Sequence, residues 1–104
     1  MIVAFSVAPV VVETSDAEMS EAVSEAVRVV RESGLPNETN AMFTLIEGEW
    51  DEVLSVIKKA TDAVRAVSPR TSLVIKADIR EGVTGQLHDK VEAVNRRLNT
   101  DKEK

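Results

Sequence analysis

Seven residues of types that can hold a polar, ring-shaped ligand stand in extended or apolar surroundings: Ser6, Thr39, Met42, Thr44, Glu47, Lys76 and Asp78. Hydroxyls such as those of Ser6, Thr39 and Thr44 can orient the polar edge of a small molecule in a largely hydrophobic pocket; each can equally bond to nearby backbone. Met42 can lie against a flat ring, because thioethers contact aromatic faces favourably, or it can serve as plain core. Glu47 ends an apolar run just before Gly48. A carboxylate there accepts charge-assisted hydrogen bonds, which are stronger than neutral ones, or it caps the following helix or meets solvent. Lys76 and Asp78 are two residues apart and share a strand face, where they can pair across a subunit interface at the rim of a cavity or form a solvated edge pair.

The sequence offers little to a catalytic mechanism. His88 is the only histidine and there is no cysteine, so the usual ligands for a transition-metal cluster are missing within one chain and no metal or cofactor is expected. No serine sits in a strained elbow motif, and Gly82 and Gly85 fit no phosphate-loop spacing. The segment Val10–Thr14 is neutral to acidic, which argues against a small acyl- or phosphate-transferring enzyme, since that would need a basic anion-binding loop after the first strand. Trp50 is the only tryptophan, and it stacks on a ligand or packs against a strand end. Arg80 reads as a surface or anion-contacting residue. No residue is assigned a catalytic role.

The formal charge of −5 and the presence of only three aromatic residues (Phe5, Phe43 and Trp50) disfavour nucleic acid, which needs a basic footprint and stacking platforms, and disfavour an anionic membrane. Absent cysteine fits a reducing compartment. The first residues, Met1–Phe5, carry no charged region or cleavage site of a leader, and no stretch is long enough to span a bilayer. A soluble, cytoplasmic protein is the expectation. At 104 residues, 43% of them hydrophobic, the chain has the size of one domain over residues 1–100, with 101–104 a frayed tail.

The elements that must position these side chains follow from periodicity. Ile2–Val12 is nearly continuous apolar sequence and predicts a strand buried on both faces, with bulky Val3, Phe5 and Val7 on one side and small Ala4, Ser6 and Ala8 on the other. Ser15 and Glu18 form a capping-box pattern ahead of a helix striped by Met19, Val23, Ala26, Val27 and Val30 and ended at Gly34 and Pro36. Two short extended pieces follow between Glu38 and Glu47, with a bend near Ala41 and Met42. A second helix starts near Glu49 and is striped by Val53, Val56, Ile57, Ala60, Ala63, Val64 and Val67. Ser72–Ile79 is the fourth strand. A third helix carries Leu87, Val91, Val94 and Leu98 in a narrow seam of the coiled-coil kind.

Strand, helix, strand, strand, helix, strand is the split βαβ order. The expected class is α+β, a ferredoxin-like βαββαβ sandwich with a four-stranded antiparallel sheet and an extra C-terminal helix. Nothing in the first six elements covers the second face of that sheet. An exposed apolar face of that size is unusual on a monomer, so self-association as a dimer or tetramer is expected, the third helix packing at an edge or across a second interface.

Four segments resemble one family: Met1–Pro9 (MIVAFSVAP), Val30–Leu35 (VRESGL), Asn40–Val53 (NAMFTLIEGEWDEV) and Lys76–Arg80 (KADIR), the last followed by a helix containing Lys90, Val91 and Glu92. Together they resemble the thiamine-binding protein family over nearly the whole chain. The resemblance implies a non-catalytic binding protein for thiamine or its hydroxymethylpyrimidine moiety, in a pocket between the sheet and a neighbouring subunit. In that pocket Glu47 would take the aminopyrimidine edge or balance the thiazolium charge. The chain departs from the family pattern at Ala4, where an acid is usual, at Ala41-Met42-Phe43, where Pro-Met-Gly is usual, and at Ile79, where a second acid often follows. The alternative is an oligomeric regulatory or scaffold module with no small-molecule ligand.

Overall fold

The computed structural model describes residues 1–11 and 15–102, with side chains as far as Thr100. Seven elements follow in order: β1 (Ile2–Pro9), α1 (Asp16–Arg31), β2 (Asn37–Thr39), β3 (Thr44–Glu47), α2 (Trp50–Arg65), β4 (Thr71–Asp78) and α3 (Gln86–Lys102). The sheet runs β2-β3-β1-β4, and every neighbouring pair is antiparallel. α1 therefore links β1 to β2 past β3, and α2 links β3 to β4 past β1. This is the ferredoxin-like α+β arrangement expected from the element order.

Register explains where the core lies. Val3 pairs with Ile46 and Phe5 with Thr44, so Val3, Phe5 and Ile46 stand on one face, and all three are buried. Ala26 and Val30 of α1 and Val53, Ile57, Ala60 and Val64 of α2 close over them. Burying a Val, Ile or Phe side chain contributes about 1.5–3 kcal/mol, which makes these residues the main anchor of both helices. β1 is not buried on both faces as its composition suggested. Its even residues from Ile2 to Ser6 are only partly covered and Ala8 is exposed, because only the first turns of α3 are fastened to that side. The strand ends at Pro9, and Val12 lies outside the described residues.

The helix starts follow local chemistry. Ser15 Oγ accepts the Glu18 N–H at 3.2 Å, and the Glu52 carboxylate accepts the Glu49 N–H at 3.3 Å. Acidic side chains fill both first turns and arginines both last turns, as the helix dipole favours. α1 keeps the expected stripe at Ala26 and Val30 and departs from it at Val23. Ala22, Ala26 and Val30 point inward while Val23 is exposed, because small alanines let the helix approach its neighbours closely. α2 buries Val53, Ile57, Ala60 and Val64 as the spacing predicts.

A tie absent from the sequence reading joins the sheet's far end. Ser68 is buried, accepts the Val11 N–H at 3.3 Å and donates to the Arg70 carbonyl at 2.5 Å. The Arg70 carbonyl also accepts from Val10 N–H at 2.8 Å. Exit from β1 and entry to β4 are thereby fastened together.

α3 behaves differently from the other helices. It makes its main contact with β3, and Val91, Val94 and Leu98 are each more than half exposed. It extends into the four residues expected to fray, of which 103 and 104 lie outside the described residues. At 17 residues it is about 26 Å long. The radius of gyration is 16.3 Å, against about 13 Å for a compact chain of this length. Only its first turns are anchored to the sheet.

Candidate functional site

The bend between β2 and β3 is built by one side chain. Asn40 Oδ1 accepts the N–H groups of Met42 and Phe43, both at 2.9 Å, and Asn40 N–H donates to the Phe43 carbonyl at 3.0 Å. This is the local turn chemistry that Asn favours. It places Met42, 74% exposed, and Phe43 beside the outer row of α1. The result is a crevice of about 190 Å3 with Val23 and Val27 on one side and Phe5, Val7, Met42 and Phe43 on the other.

Four of the seven candidate residues meet there: Ser6, Thr39, Met42 and Thr44 all border this crevice. β3 pairs with β1 only as far as Thr44 opposite Phe5. Ser6, one residue further along β1, is the first without that neighbour and so borders the opening, although its side chain stands with Ala4 and Ala8 on the face opposite Phe5 and Val7. Among the described residues none of the three hydroxyls, Ser6, Thr39 or Thr44, makes a side-chain hydrogen bond. The local backbone bonds that would have made these hydroxyls merely structural are not formed. A mostly apolar crevice with unengaged hydroxyls is the usual make-up of a small-molecule site.

The other three candidates gather elsewhere, around β1 residues Ile2 and Ala4 on the opposite face. Ile2 is flanked by Glu47 on one side and Asp78 on the other, and Ala4 is paired with Lys76. Glu47 is only 5% exposed. Its Oε2 accepts the Gln86 N–H at 2.9 Å and its Oε1 accepts the Leu87 N–H at 3.4 Å. It thus caps α3, 39 residues away, rather than the helix that follows it. Asp78 pairs with Lys90 of α3. That hydrogen bond, with the Lys90 charge, holds the Asp78 carboxyl below the usual carboxylate range. Glu47 and Asp78 therefore hold α3 on the sheet, and Lys76 is the one of the three without a side-chain partner among the described residues.

A second concavity, of about 360 Å3, lies at the chain start. Trp50, Ile79, Arg80 and Glu81 are among its walls. Trp50 is 51% exposed. His88 is exposed, with Nδ1 3.5 Å from Asp89 and Nε2 3.7 Å from Glu92. Among the described residues, no group of three or more His, Cys, Asp or Glu side chains is placed to hold a metal ion. No helix there is long and apolar enough to cross a membrane.

The capping role of Glu47 left one mark in the sequence. α3 begins directly after Gly85, which has no side chain to accept from the first turn. Nothing local, however, names a partner so distant. The turn built by Asn40 was more accessible, since Asn before a short bend is a common turn former.

Comparison with known proteins places the chain. A family model described as thiamine-binding protein matches residues 3–95. The UPF0045 protein Mb1933 of Mycobacterium bovis is 52% identical over 99 residues, spanning 94% of each chain. The crystal structure of protein MJ1052 from the archaeon Methanocaldococcus jannaschii superposes with a TM-score of 0.75 at 30% identity, covering 90% of this chain and 94% of that one. A candidate thiamine biosynthesis/salvage protein from Thermotoga maritima shares the fold, with a TM-score of 0.70 at 23% identity, over 89% of this chain and 96% of that one. On the family match and the identity to its relatives, the chain belongs to the thiamine-binding protein family.

Proposed function

We propose that this chain is a non-catalytic, cytoplasmic, single-domain binding protein for thiamine or its hydroxymethylpyrimidine moiety. The ligand's pyrimidine ring lies in the crevice between α1 and the β2–β3 turn. The observation that carries this reading is the meeting of Thr39 and Thr44, with hydroxyls free of protein partners among the described residues, beside Met42 and Phe43. An aminopyrimidine offers donors and acceptors on its edge and a flat apolar face, which such a lining matches. The crevice, about 190 Å3, is smaller than the range of about 300–1,000 Å3 usual for small-molecule pockets. It suits one ring, so a ligand with two rings needs further walls.

A second copy of the chain supplies those walls in this reading. Leu73, Val74 and Ile75 of the edge strand β4 are exposed, as are Val91, Val94 and Leu98 of α3. An uncovered edge strand with apolar side chains invites pairing, and a dimer or tetramer would cover both surfaces. These same residues favour the second reading, a module whose surfaces serve assembly alone.

Calorimetric titration of the assembled protein with thiamine and with hydroxymethylpyrimidine separates the two. The expected result is binding at one site per chain, with the pyrimidine alone retaining most of the affinity. An absence of heat with both ligands would leave the assembly module as the reading.

A further inference from the structure

We propose that the cavity at the chain start is a second ligand subsite, taking a flat cationic ring that carries a phosphate group, with the ring against Trp50 and the phosphate at Arg80. The identity of the ring rests on the thiamine-class reading above; the subsite itself rests on four observations.

Its volume of about 360 Å3 falls inside the range usual for small-molecule pockets, which the α1 crevice does not reach. Its walls are pinned. Met1 and Gly48 exchange a reciprocal pair of hydrogen bonds, at 2.9 and 3.1 Å, which fixes the chain start to the β3–α2 junction. The loop from Ile79 to Gly85 is fastened at one end by the Asp78–Lys90 pair and at the other by Glu47 holding Gln86. The concavity is therefore part of the folded frame.

Two apolar side chains in it are left open to water. Trp50 is 51% and Ile79 53% exposed, although an indole gains most by covering its faces. A cationic ring over an indole is attracted by the quadrupole of the aromatic face. Glu49 and Glu81 line the same cavity and favour a positive ring. Arg80 supplies the opposite sign. Among the described residues it forms no ion pair or side-chain hydrogen bond, and a guanidinium is suited to bidentate contact with phosphate. The cavity thus offers an aromatic face, two carboxylates and one free guanidinium, the complement of a cationic ring with an anionic arm.

Trp50 is the only tryptophan, so its emission reports this cavity alone. The test titrates the full chain with thiamine monophosphate while following Trp50 emission, in parallel with calorimetry of hydroxymethylpyrimidine binding. A saturable emission change is expected, weakened about tenfold by Arg80→Ala, since a charge-assisted contact is lost, while the response to unphosphorylated thiamine stays the same. Silent emission at ester concentrations that saturate would overturn the proposal. So would an unchanged curve in Arg80→Ala, or an identical change produced by inorganic phosphate alone. The crevice reading fails by a different sign: Thr44→Val would leave the pyrimidine heat untouched, whatever Trp50 reports.

Discussion

Glu47 and Gln86, separated by 39 positions, are joined through a 2.9 Å hydrogen bond from the helix backbone to a buried carboxylate. The bond settles what α3 is attached to. A helix whose first residue follows a glycine has no side-chain cap of its own, and Glu47 supplies one from the end of β3. Replacing Glu47 with Gln keeps the shape but removes the charge and one of two acceptors. Loss of a hydrogen bond to a charged group costs about 1.5–3 kcal/mol. Amide exchange at Gln86, Leu87 and the following turn should quicken in the variant, while exchange at Val3 and Ile46 in the core stays slow. Uniform acceleration across the chain would show instead that Glu47 supports the whole fold.

Thr44 tests the crevice. Thr44→Val preserves shape and removes only the hydroxyl, one of three with no protein partner. If that oxygen bonds the pyrimidine, affinity falls by roughly 1 kcal/mol, or about fivefold, with melting temperature little changed. Phe43→Gly tests size in the same crevice. Removing a ring from its wall should improve binding of intact thiamine relative to the pyrimidine alone. An equal effect on both ligands would place Phe43 outside the selective part of the site.

Ser68 is a prediction about stability alone. Its hydroxyl accepts from Val11 and donates to Arg70 in a buried position. Ser68→Ala removes both hydroxyl bonds while the Arg70 carbonyl keeps the N–H groups of Val10 and Val11, so the cost is that of the lost hydrogen bonds, about 0.5–1.5 kcal/mol each. A chemical-denaturation midpoint should fall accordingly while the slope of the transition is kept. Ligand binding should be unaffected, because Ser68 lines neither concavity.

The architecture could be read from periodicity because each core element carries its own signal. Val3 and Phe5 alternate, and Val53, Ile57, Ala60 and Val64 recur at helical spacing. The α1 stripe holds at Ala26 and Val30 and departs at Val23, where the smaller Ala22 is buried instead, because the small residue permits close packing and the large one does not. The candidate site was legible in part. Ser6, Thr39, Met42 and Thr44 converge because each lies near one end of a strand beside a single turn. Glu47 stands out in the sequence as a carboxylate at the end of an apolar run. Its partner does not, since a contact across 39 residues leaves no local pattern. The cavity around Trp50 was hidden for the same reason, being assembled from three segments far apart in the chain.

The Asp78–Lys90 pair makes the docking of α3 sensitive to acid. Lys90 holds the Asp78 carboxyl below its usual range, so the folded state favours the charged form more than the unfolded state does. The contribution is complete above the ordinary Asp value of about 3.9 and is lost as pH falls from there through the lower folded value. Both side chains are about half exposed, so the effect is small and screened by salt. Between neutral pH and the acid range, exchange protection of α3 should drop more in the wild type than in Asp78→Asn, which lacks the titrating group. Equal losses in the two proteins would assign the acid sensitivity to other carboxylates.

The seam of α3 carries the last prediction. Val91, Val94 and Leu98 are more than half exposed and recur at the three- and four-residue spacing of a packing stripe. A helix anchored only at its first turns gains nothing from such a stripe alone in water, so these side chains are expected to lie against another copy of the chain. Val94→Glu places a charge in the middle of the stripe without altering the capped first turns. Sedimentation should show a smaller particle for the variant than for the wild type, with helix content unchanged. Val74→Lys on the edge strand β4 provides an independent probe, because a lysine there blocks strand pairing. A smaller particle with Val94→Glu alone would place the interface on α3; with Val74→Lys alone, on the sheet edge; with both, on two distinct contacts of a higher assembly. A mass unaffected by either change would mean that neither surface holds copies together.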